Sequence, residues 1–117
     1  MYHKDLEVWK LSMNLVIEVY RRTQNFPKNE VFGLTNQMCR AAVSIPSNIA
    51  EGCERGSDKD TLRFLDIALG SSAELETQSL IAEQLGYADM QDILTSLDKI
   101  NALLYGLKKY LKQKLMT

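Results

Sequence analysis

The side chains that could carry out catalysis are few and widely separated in this sequence. His3 is the only histidine among 117 residues, and it lies at a terminus that we expect to fray, whereas a catalytic triad, zinc site or proton shuttle would need it in a pocket. Gly52 and Gly56 lack the Lys and Ser or Thr of a phosphate-binding loop. Glu74 and Glu76 are two residues apart and point to different helix faces. We therefore expect no enzymatic activity, no metal site and no cofactor.

One segment, Arg40–Gly52, departs from a plain amphipathic pattern. Four polar residues recur there at three- and four-residue steps and project along one side of a helix: Ser44, Ser47, Asn48 and Glu51. Pro46 opens the backbone hydrogen-bond ladder of that helix, and hydroxyl and amide groups can satisfy the freed backbone groups. We prefer a polar network that fixes helix packing to a ligand site, because an unpartnered buried polar group costs about 1–3 kcal/mol. Arg40 is expected to pair with an acid on the third helix or across a subunit boundary.

Apolar periodicity predicts four helices, over about residues 4–23, 29–54, 58–85 and 89–112. Three residues suit the N-cap positions of the later helices: Asn29, Ser57 and Asp89. Gly86 suits the position that follows the third helix. Pro46 predicts a kink in the second helix, because proline inside a helix removes one hydrogen bond and clashes with the preceding turn.

The first and fourth predicted helices show their apolar stripes most clearly. The stripe of the first contains Leu6, Trp9, Met13, Val16, Ile17 and Tyr20. The stripe of the fourth contains Ile93, Leu97, Ile100, Leu104, Leu107 and Leu111. The second set alternates steps of four and three, which is typical of left-handed, coiled-coil-like packing. The Met and aromatic positions, such as Met13, Tyr20, Phe64 and Tyr105, are expected in the core or at an interface, and Trp9 in the core.

These patterns predict one all-α domain over residues 1–117, an antiparallel up-down-up-down four-helix bundle. An alternative is a swapped dimer in which the third helix packs against a second chain. No apolar run is long enough to span a membrane, so no membrane partner is expected. Cys39 and Cys53 are about four helical turns apart, too far for a disulfide, which favours a reduced, cytoplasmic protein.

The net charge of −1 excludes a uniformly basic nucleic-acid-binding protein. A bundle would still gather an excess of basic residues at the end that holds the start of the first helix, the 52–60 turn and the end of the fourth helix. The candidate phosphate-binding residues at that end are Lys4, Arg55, Lys59, Arg63, Lys108, Lys109 and Lys112. For the lysines alone we prefer solubility and a favourable interaction with the helix macrodipole. A ring of parallel subunits would place all such ends on one face, where their fields add.

The Arg40–Gly52 motif also carries a resemblance to a known family. Further matching motifs are Leu6-x-x-Trp9-Lys10, Phe26-Pro27-x-x-Glu30, Gly33-Leu34-x-x-Gln37, Arg55-x-Ser57 and Phe64-Leu65-x-x-Ala68-x-Gly70-Ser71-x-x-Glu74-Leu75. From about Leu6 to Leu111 the chain resembles the bacterial four-helix-bundle proteins named after the intervening sequences of large-subunit ribosomal RNA genes. It is similar also to the accessory proteins of diversity-generating retroelements.

The resemblance implies a homopentameric ring, RNA or DNA binding and no enzymatic activity. In retroelement members it implies contact with a reverse transcriptase. We therefore predict a non-enzymatic, homo-oligomeric accessory or scaffold protein with nucleic-acid contact. The alternative is a protein-binding adaptor with no nucleic-acid role, which would use the net-acidic remainder and the small-residue face of the third helix.

Overall fold

Apolar residues at three- and four-residue spacing form four α-helices, and no strand is present. The structure is a computed structural model that describes residues 1–117. The helices are α1 (Glu7–Thr23), α2 (Leu34–Cys53), α3 (Asp58–Gln84) and α4 (Gln91–Met116). Short 3-10 helices, His3–Asp5 and Lys28–Glu30, precede α1 and α2. The predicted all-α four-helix bundle is confirmed.

Each helix packs against two neighbours in the same chain: α1 and α3 both contact α2 and α4. The contacts between α3 and α4 pair early residues of one helix with late residues of the other. Asp58 forms an ion pair with Lys114 at 3.2 Å, and Asp66 forms one with Lys108 at 2.5 Å. Near the middle of both helices, Ser72 donates a hydrogen bond to Asn101 at 2.6 Å. Contacts of this kind are what an up-down-up-down order requires. The bundle measures 51 × 20 × 20 Å.

The apolar repeat of α4 faces the core, as the sequence predicts. Ile93, Leu97, Ile100, Leu104 and Leu111 are buried, and Leu107 packs against them at the edge of the core. They share one hydrophobic cluster with buried residues of the other three helices.

The apolar stripe predicted for α1 is divided: Leu6, Trp9 and Val16 pack against the edge of the core, whereas Met13, Ile17 and Tyr20 are exposed. The buried face of α1 consists of Val8, Ser12, Leu15, Val19 and Thr23. Two of these are polar, but their hydroxyls donate to backbone carbonyls one turn earlier, Ser12 to Val8 at 2.6 Å and Thr23 to Val19 at 2.9 Å. Small, internally satisfied side chains let α1 approach its neighbours closely, and this leaves the larger apolar side chains outside.

The exposed fractions of the side chains show which residues of that stripe are in contact with solvent. Met13, Ile17 and Tyr20 are exposed to 43%, 50% and 48%. Trp9 is partly buried and packs against the edge of the core rather than inside it. Tyr105, on α4, is also exposed, whereas Phe64 is buried.

Three helix starts differ from the sequence predictions. A 3-10 turn and extended backbone at Leu6 delay α1 to Glu7. The second helix begins at Leu34 because Lys28–Glu30 forms a separate 3-10 helix. The Glu30 carboxylate accepts the Leu34 N–H at 3.2 Å, so it takes the capping role expected of Asn29.

The fourth helix begins two residues later than predicted and extends further. Asp89 accepts the N–H of Gln91 at 2.9 Å, so its side chain still supports the start of α4, although Met90 holds the N-cap position. The helix continues past Lys112 to Met116.

The predicted ends of α3 are confirmed. The Ser57 hydroxyl caps its start by accepting the Asp60 N–H at 3.1 Å. Gly86 follows its end with a φ of +74°, a conformation that residues with a side chain rarely adopt. The second helix runs without interruption through the buried Pro46, and the kink there stays a prediction.

The cysteines and the apolarity of the helices complete the description of the fold. Cys39 and Cys53 lie on α2 with free thiols, and burial raises the pKa of Cys53. No helix combines the length and apolarity needed to cross a membrane.

Candidate functional site

An apolar groove between α1 and α2 is the first candidate surface. We call Trp9, Met13, Ile17 and Tyr20 the outer row of α1. Beside this row lies a groove of about 400 Å³. It is lined by Trp9, Met13 and Val16 from α1 and by Val43, Pro46 and Ala50 from α2. Apart from His3 at one end, no residue outside α1 and α2 lines it, so the groove offers a helix-packing surface to something outside the chain.

The first residues of the chain close one end of this groove. The His3 ring lies 5.2 Å from the Trp9 ring and 5.5 Å from the Tyr2 ring, measured between centroids. Its Nδ1 atom is buried without a hydrogen-bond partner. The expectation of a frayed terminus at His3 is therefore wrong, because aromatic contacts hold the residue against α1.

Part of the Arg40–Gly52 motif links α2 to α3. The Ser44 and Ser71 hydroxyls lie 2.7 Å apart and share a hydrogen bond. Asn48 donates to the backbone carbonyl of Ser44 at 2.8 Å and to its hydroxyl at 2.9 Å. These bonds join the two helices at mid-height and favour the structural network over a ligand site.

Other motif residues have separate roles. Gly52 allows the close approach of α3, because a Cβ atom there would lie 2.9 Å from the Cβ of Phe64. Its carbonyl accepts the Thr61 hydroxyl at 2.7 Å. Glu51 pairs with Arg55 at 2.8 Å. Ser47 is exposed at the rim of the groove between α1 and α2.

Arg40 does not form the ion pair that the sequence suggested within the chain. It is exposed, and no acidic side chain lies within 4.0 Å of its guanidinium. The expected pairing with an acid on the third helix of the same chain is thus wrong, and the alternative across a subunit boundary stays a prediction.

The last turns of α4 form the second candidate surface. Lys108, Lys109 and Lys112 line a shallow groove together with Tyr105 and Met116, which we call the lysine groove. No acidic residue follows Asp98 in the sequence. Lys108 pairs with Asp66 at 2.5 Å. Lys109 and Lys112 are exposed and form no ion pair, so their charges are free to attract an anion.

The two candidate arginines stand apart from the lysine groove. The guanidiniums of Arg55 and Arg63 lie 4.6 and 4.5 Å from the centroid of the Phe64 ring. Glu51 and Asp60 pair with them at 2.8 and 3.3 Å and offset their charge. This arrangement holds the α2–α3 turn together and adds little to the positive field.

The remaining candidates, Lys4 and Lys59, are exposed and form no ion pair. Lys4 lies in the 3-10 helix before α1, and Lys59 is the second residue of α3. Lys59 adjoins Asp58, which pairs with Lys114 of α4. The structure thus groups three of the seven predicted residues in the lysine groove and distributes the other four around the same end.

One further row, on α3, was not predicted from the sequence. We call Ile67, Gly70, Glu74, Thr77 and Ile81 the outer row of α3. These residues alternate steps of three and four, a spacing that is visible in the sequence. The core stripe of the same helix is more apolar and dominates its periodicity. Ile67 and Ile81 are exposed to 41% and 44%.

A clamp at the opposite end of the bundle was also not predicted. Tyr87 donates its hydroxyl proton to Glu30 at 2.8 Å, and its ring packs 5.3 Å from the Phe26 ring. The hydrogen bond to Glu30 raises the pKa of Tyr87, with smaller contributions from burial and the negative charge. Nowhere in the chain do three or more His, Cys, Asp or Glu side chains gather around one potential metal position.

Comparisons with known proteins agree with this architecture. Residues 4–109 match the family model described as 23S rRNA-intervening sequence protein. A crystal structure of a protein of unknown function from the S23 ribosomal protein family of Bacteroides thetaiotaomicron has a similar fold, with a TM-score of 0.63 and 23% identity. The alignment covers 94% of this chain and 99% of that one. Among proteins with a curated description, none is significantly similar in sequence.

Proposed function

The chain belongs to the 23S rRNA-intervening sequence protein family, and on that premise we propose that it is a non-enzymatic accessory protein that assembles with copies of itself and contacts nucleic-acid phosphate. The observation that carries the proposal is the outer row of α1. A helix with one face in the core and a second, half-exposed apolar face needs a further packing partner, and a copy of the same chain is always available. A cytoplasmic location, predicted from the two cysteines, is part of the proposal.

The lysine groove supports the nucleic-acid part. Lys109 and Lys112 carry uncompensated charge, and Tyr105 beside them offers an aromatic face for a base. One copy provides only a few phosphate contacts. An assembly with parallel subunits would multiply them on one face, which lets a chain of net charge −1 bind an anionic polymer.

The nucleic-acid part is tested with a fluorescein-labelled RNA hairpin, whose binding is followed by anisotropy across a salt series. We expect binding at low salt that weakens steeply as salt rises. The double variant Lys109→Gln, Lys112→Gln should reduce the slope of log K against log salt by about 0.7–0.9 for each phosphate that a lysine no longer neutralises. Lys28→Gln, at the opposite end of the bundle, is the matched control and should behave as wild type.

Two results would overturn this part. Absence of binding at low salt would remove nucleic acid from the proposal. An unchanged slope in the double variant would return the lysines to a role in solubility and dipole stabilisation.

The assembly part is tested by native mass spectrometry at micromolar concentration. We expect a mass that is a multiple of the single chain, in agreement with the pentamer that the resemblance implies. A single-chain mass would contradict self-assembly. A defined protein that co-purifies after nuclease treatment, with no RNA binding, would favour the adaptor function instead.

A further inference from the structure

We propose that copies of the chain join by a head-to-tail contact, in which the outer row of α1 on one copy packs against the outer row of α3 on the next. Both copies point in the same direction along the bundle. This inference rests on the self-assembly proposed above and adds which two faces meet and in which orientation.

The first observation is that both rows lack a partner inside the chain. Scattered exposed apolar side chains are ordinary on protein surfaces. Met13, Ile17 and Tyr20 instead form a continuous row beside an open groove, with the spacing that helix packing uses. On α3, the exposed Ile67 and Ile81 lie at the two ends of a row whose middle positions are Gly70, Glu74 and Thr77.

The second observation concerns Gly70, in the middle of the outer row of α3. Glycine inside a helix costs about 0.5–1 kcal/mol relative to alanine. At Gly52 the close approach of Phe64 explains that cost, but a Cβ atom added at Gly70 would meet nothing within 4 Å. Nothing inside the chain therefore requires a glycine at Gly70. The same is true of Gly106 on α4, but Gly70 shares its row with the exposed Ile67 and Ile81, where a side chain of a second copy would pack against the backbone of α3.

The third observation is that the two rows lie at the same height along the bundle. Val16 and Val43 line the same groove, and Ser44, the next residue of α2, bonds to Ser71. Ile17 on α1 therefore lies within one helical turn of the height of Gly70 on α3.

Because α1 and α3 run in the same direction, residues one turn before and one turn after this position also correspond in height. Contacts along α2 run opposite to those along α3, since Gly52 bonds to Thr61 and Ser44 to Ser71. They also run opposite to those along α1, since Ala50 shares its groove with Trp9, whereas Cys39 contacts Thr23. The first and third helices are thus parallel.

Copies related by rotation about an axis along the bundle keep residues of equal height opposite one another. This arrangement places Met13 of one copy against Ile67 of the next. One turn further along, Ile17 packs over Gly70, where the missing side chain leaves room for it. At the next turn, the Tyr20 hydroxyl comes level with the Glu74 carboxylate.

The charges of the two faces are complementary. Arg40 is one turn before Ser44 and Glu74 is one turn after Ser71, so the two residues are level with each other. Neither forms an ion pair in its own chain, and the one side-chain partner of the Glu74 carboxylate is Gln78 at 3.4 Å. Arg40 borders the α1–α2 face, so in the proposed contact it meets Glu74 of the next copy.

The positions of the faces favour a closed ring. Both faces adjoin α2, and adjacent faces of a four-helix bundle are roughly perpendicular. A head-to-tail contact between such faces turns each copy by a large angle and closes a small ring rather than a filament. The contact spans three turns of helix, about 16 Å, on a bundle 20 Å wide. Its area is therefore smaller than that of a typical stable interface. A ring gives every copy two such contacts.

The experiment uses one variant in each row and a control. Ile17→Glu places a charge in the outer row of α1, and Gly70→Gln fills the gap in the outer row of α3. Gly106→Gln is the matched control, because Gly106 is also inside a helix with nothing within 4 Å of an added Cβ. The mass of each variant and of a one-to-one mixture of the first two is measured by native mass spectrometry, and helix content by circular dichroism.

We expect Ile17→Glu and Gly70→Gln to be single chains with wild-type helix content, and Gly106→Gln to keep the wild-type mass. At high protein concentration the mixture should form a two-chain species, because one variant retains an intact α3 row and the other an intact α1 row. This species has one contact, so it should dissociate more readily than a ring with two contacts per copy. That species also shows that both variants fold.

The outcomes separate this inference from the proposal beneath it. A wild-type chain that is itself single removes self-assembly altogether. If the wild type and the Gly70→Gln variant both assemble, self-assembly is supported but the contact through α3 is overturned. A two-fold contact between the α1 rows of two copies would give this result. A mixture that remains single chains even at high protein concentration overturns the head-to-tail arrangement.

Discussion

The first and fourth helices carry apolar residues at the same spacing, but the bundle uses them in opposite ways. The repeat of α4 faces the core between α1 and α3, with Leu97 and Leu104 fully buried. The repeat of α1, with Met13 and Ile17, stays half exposed, and a face with two small hydroxyl residues enters the core. Periodicity thus identifies a packing surface but does not say whether its partner lies in the same chain.

The difference follows from what each helix has on its remaining faces. Beyond its apolar repeat, α4 is rich in lysine and other polar residues, so one orientation buries apolar area and keeps charges in water. The first helix has two faces that can be buried, because Ser12 and Thr23 satisfy their own hydroxyls with backbone carbonyls. The choice between them depends on which face fits the neighbouring helices.

The largest effect that would test this comparison is a matched truncation of the two repeats. Leu97→Ala should lower the free energy of unfolding by about 2–5 kcal/mol, because it leaves a cavity in the core. Met13→Ala, in the outer row of α1, should change it by less than about 0.5 kcal/mol. Urea denaturation at low protein concentration measures both. Equal losses would mean that the outer row of α1 belongs to the core.

An intermediate effect comes from making the buried face of α1 more hydrophobic. Ser12→Leu should destabilise the fold by about 1–3 kcal/mol, because Ser12 has no exposed surface and its site has no room for a larger side chain. Asn14→Leu also introduces a leucine, but at an exposed position of the helix, and is the control, with an expected change in unfolding free energy near zero. A stabilised Ser12→Leu variant would show that Ser12 faces solvent and that another face of α1 is buried.

The smallest effect concerns the contact between the segment after α1 and the segment before α4, where Phe26 packs against Tyr87. Because the hydrogen bond to Glu30 raises the pKa of Tyr87, this bond stabilises the fold fully below about pH 10, the ordinary tyrosine pKa. The contribution disappears as pH rises through the pKa of the folded state.

Tyr87→Phe should therefore be slightly less stable than wild type at neutral pH, and the difference should shrink in alkaline solution. Urea denaturation between neutral pH and pH about 11 measures it. Tyr110→Phe, on an exposed tyrosine without a side-chain hydrogen bond, controls for the general effect of high pH. A constant difference across this range would contradict a role for the Glu30 bond.

The candidate site was only partly predictable from the residues. The excess of lysine at the end of α4 and the polar spacing around Ser44 and Asn48 are visible in the sequence. The pairing of Arg55 and Arg63 with nearby acids and the isolation of Arg40 depend on side-chain placement in the folded chain. The clamp from Tyr87 to Glu30 joins residues 57 positions apart, and no local pattern indicates it.

The sequence by itself determined the helices, several of their ends and the core side of α4, because periodicity and capping are local properties of the chain. Ser57 and Gly86 limit α3 as their chemistry predicts. Only the tertiary structure decided which face of α1 is buried, since this depends on the shapes of two neighbouring helices at once. For the same reason, only the folded chain brings Ile17 and Gly70 to within one helical turn of each other in height, on two adjacent faces of the bundle.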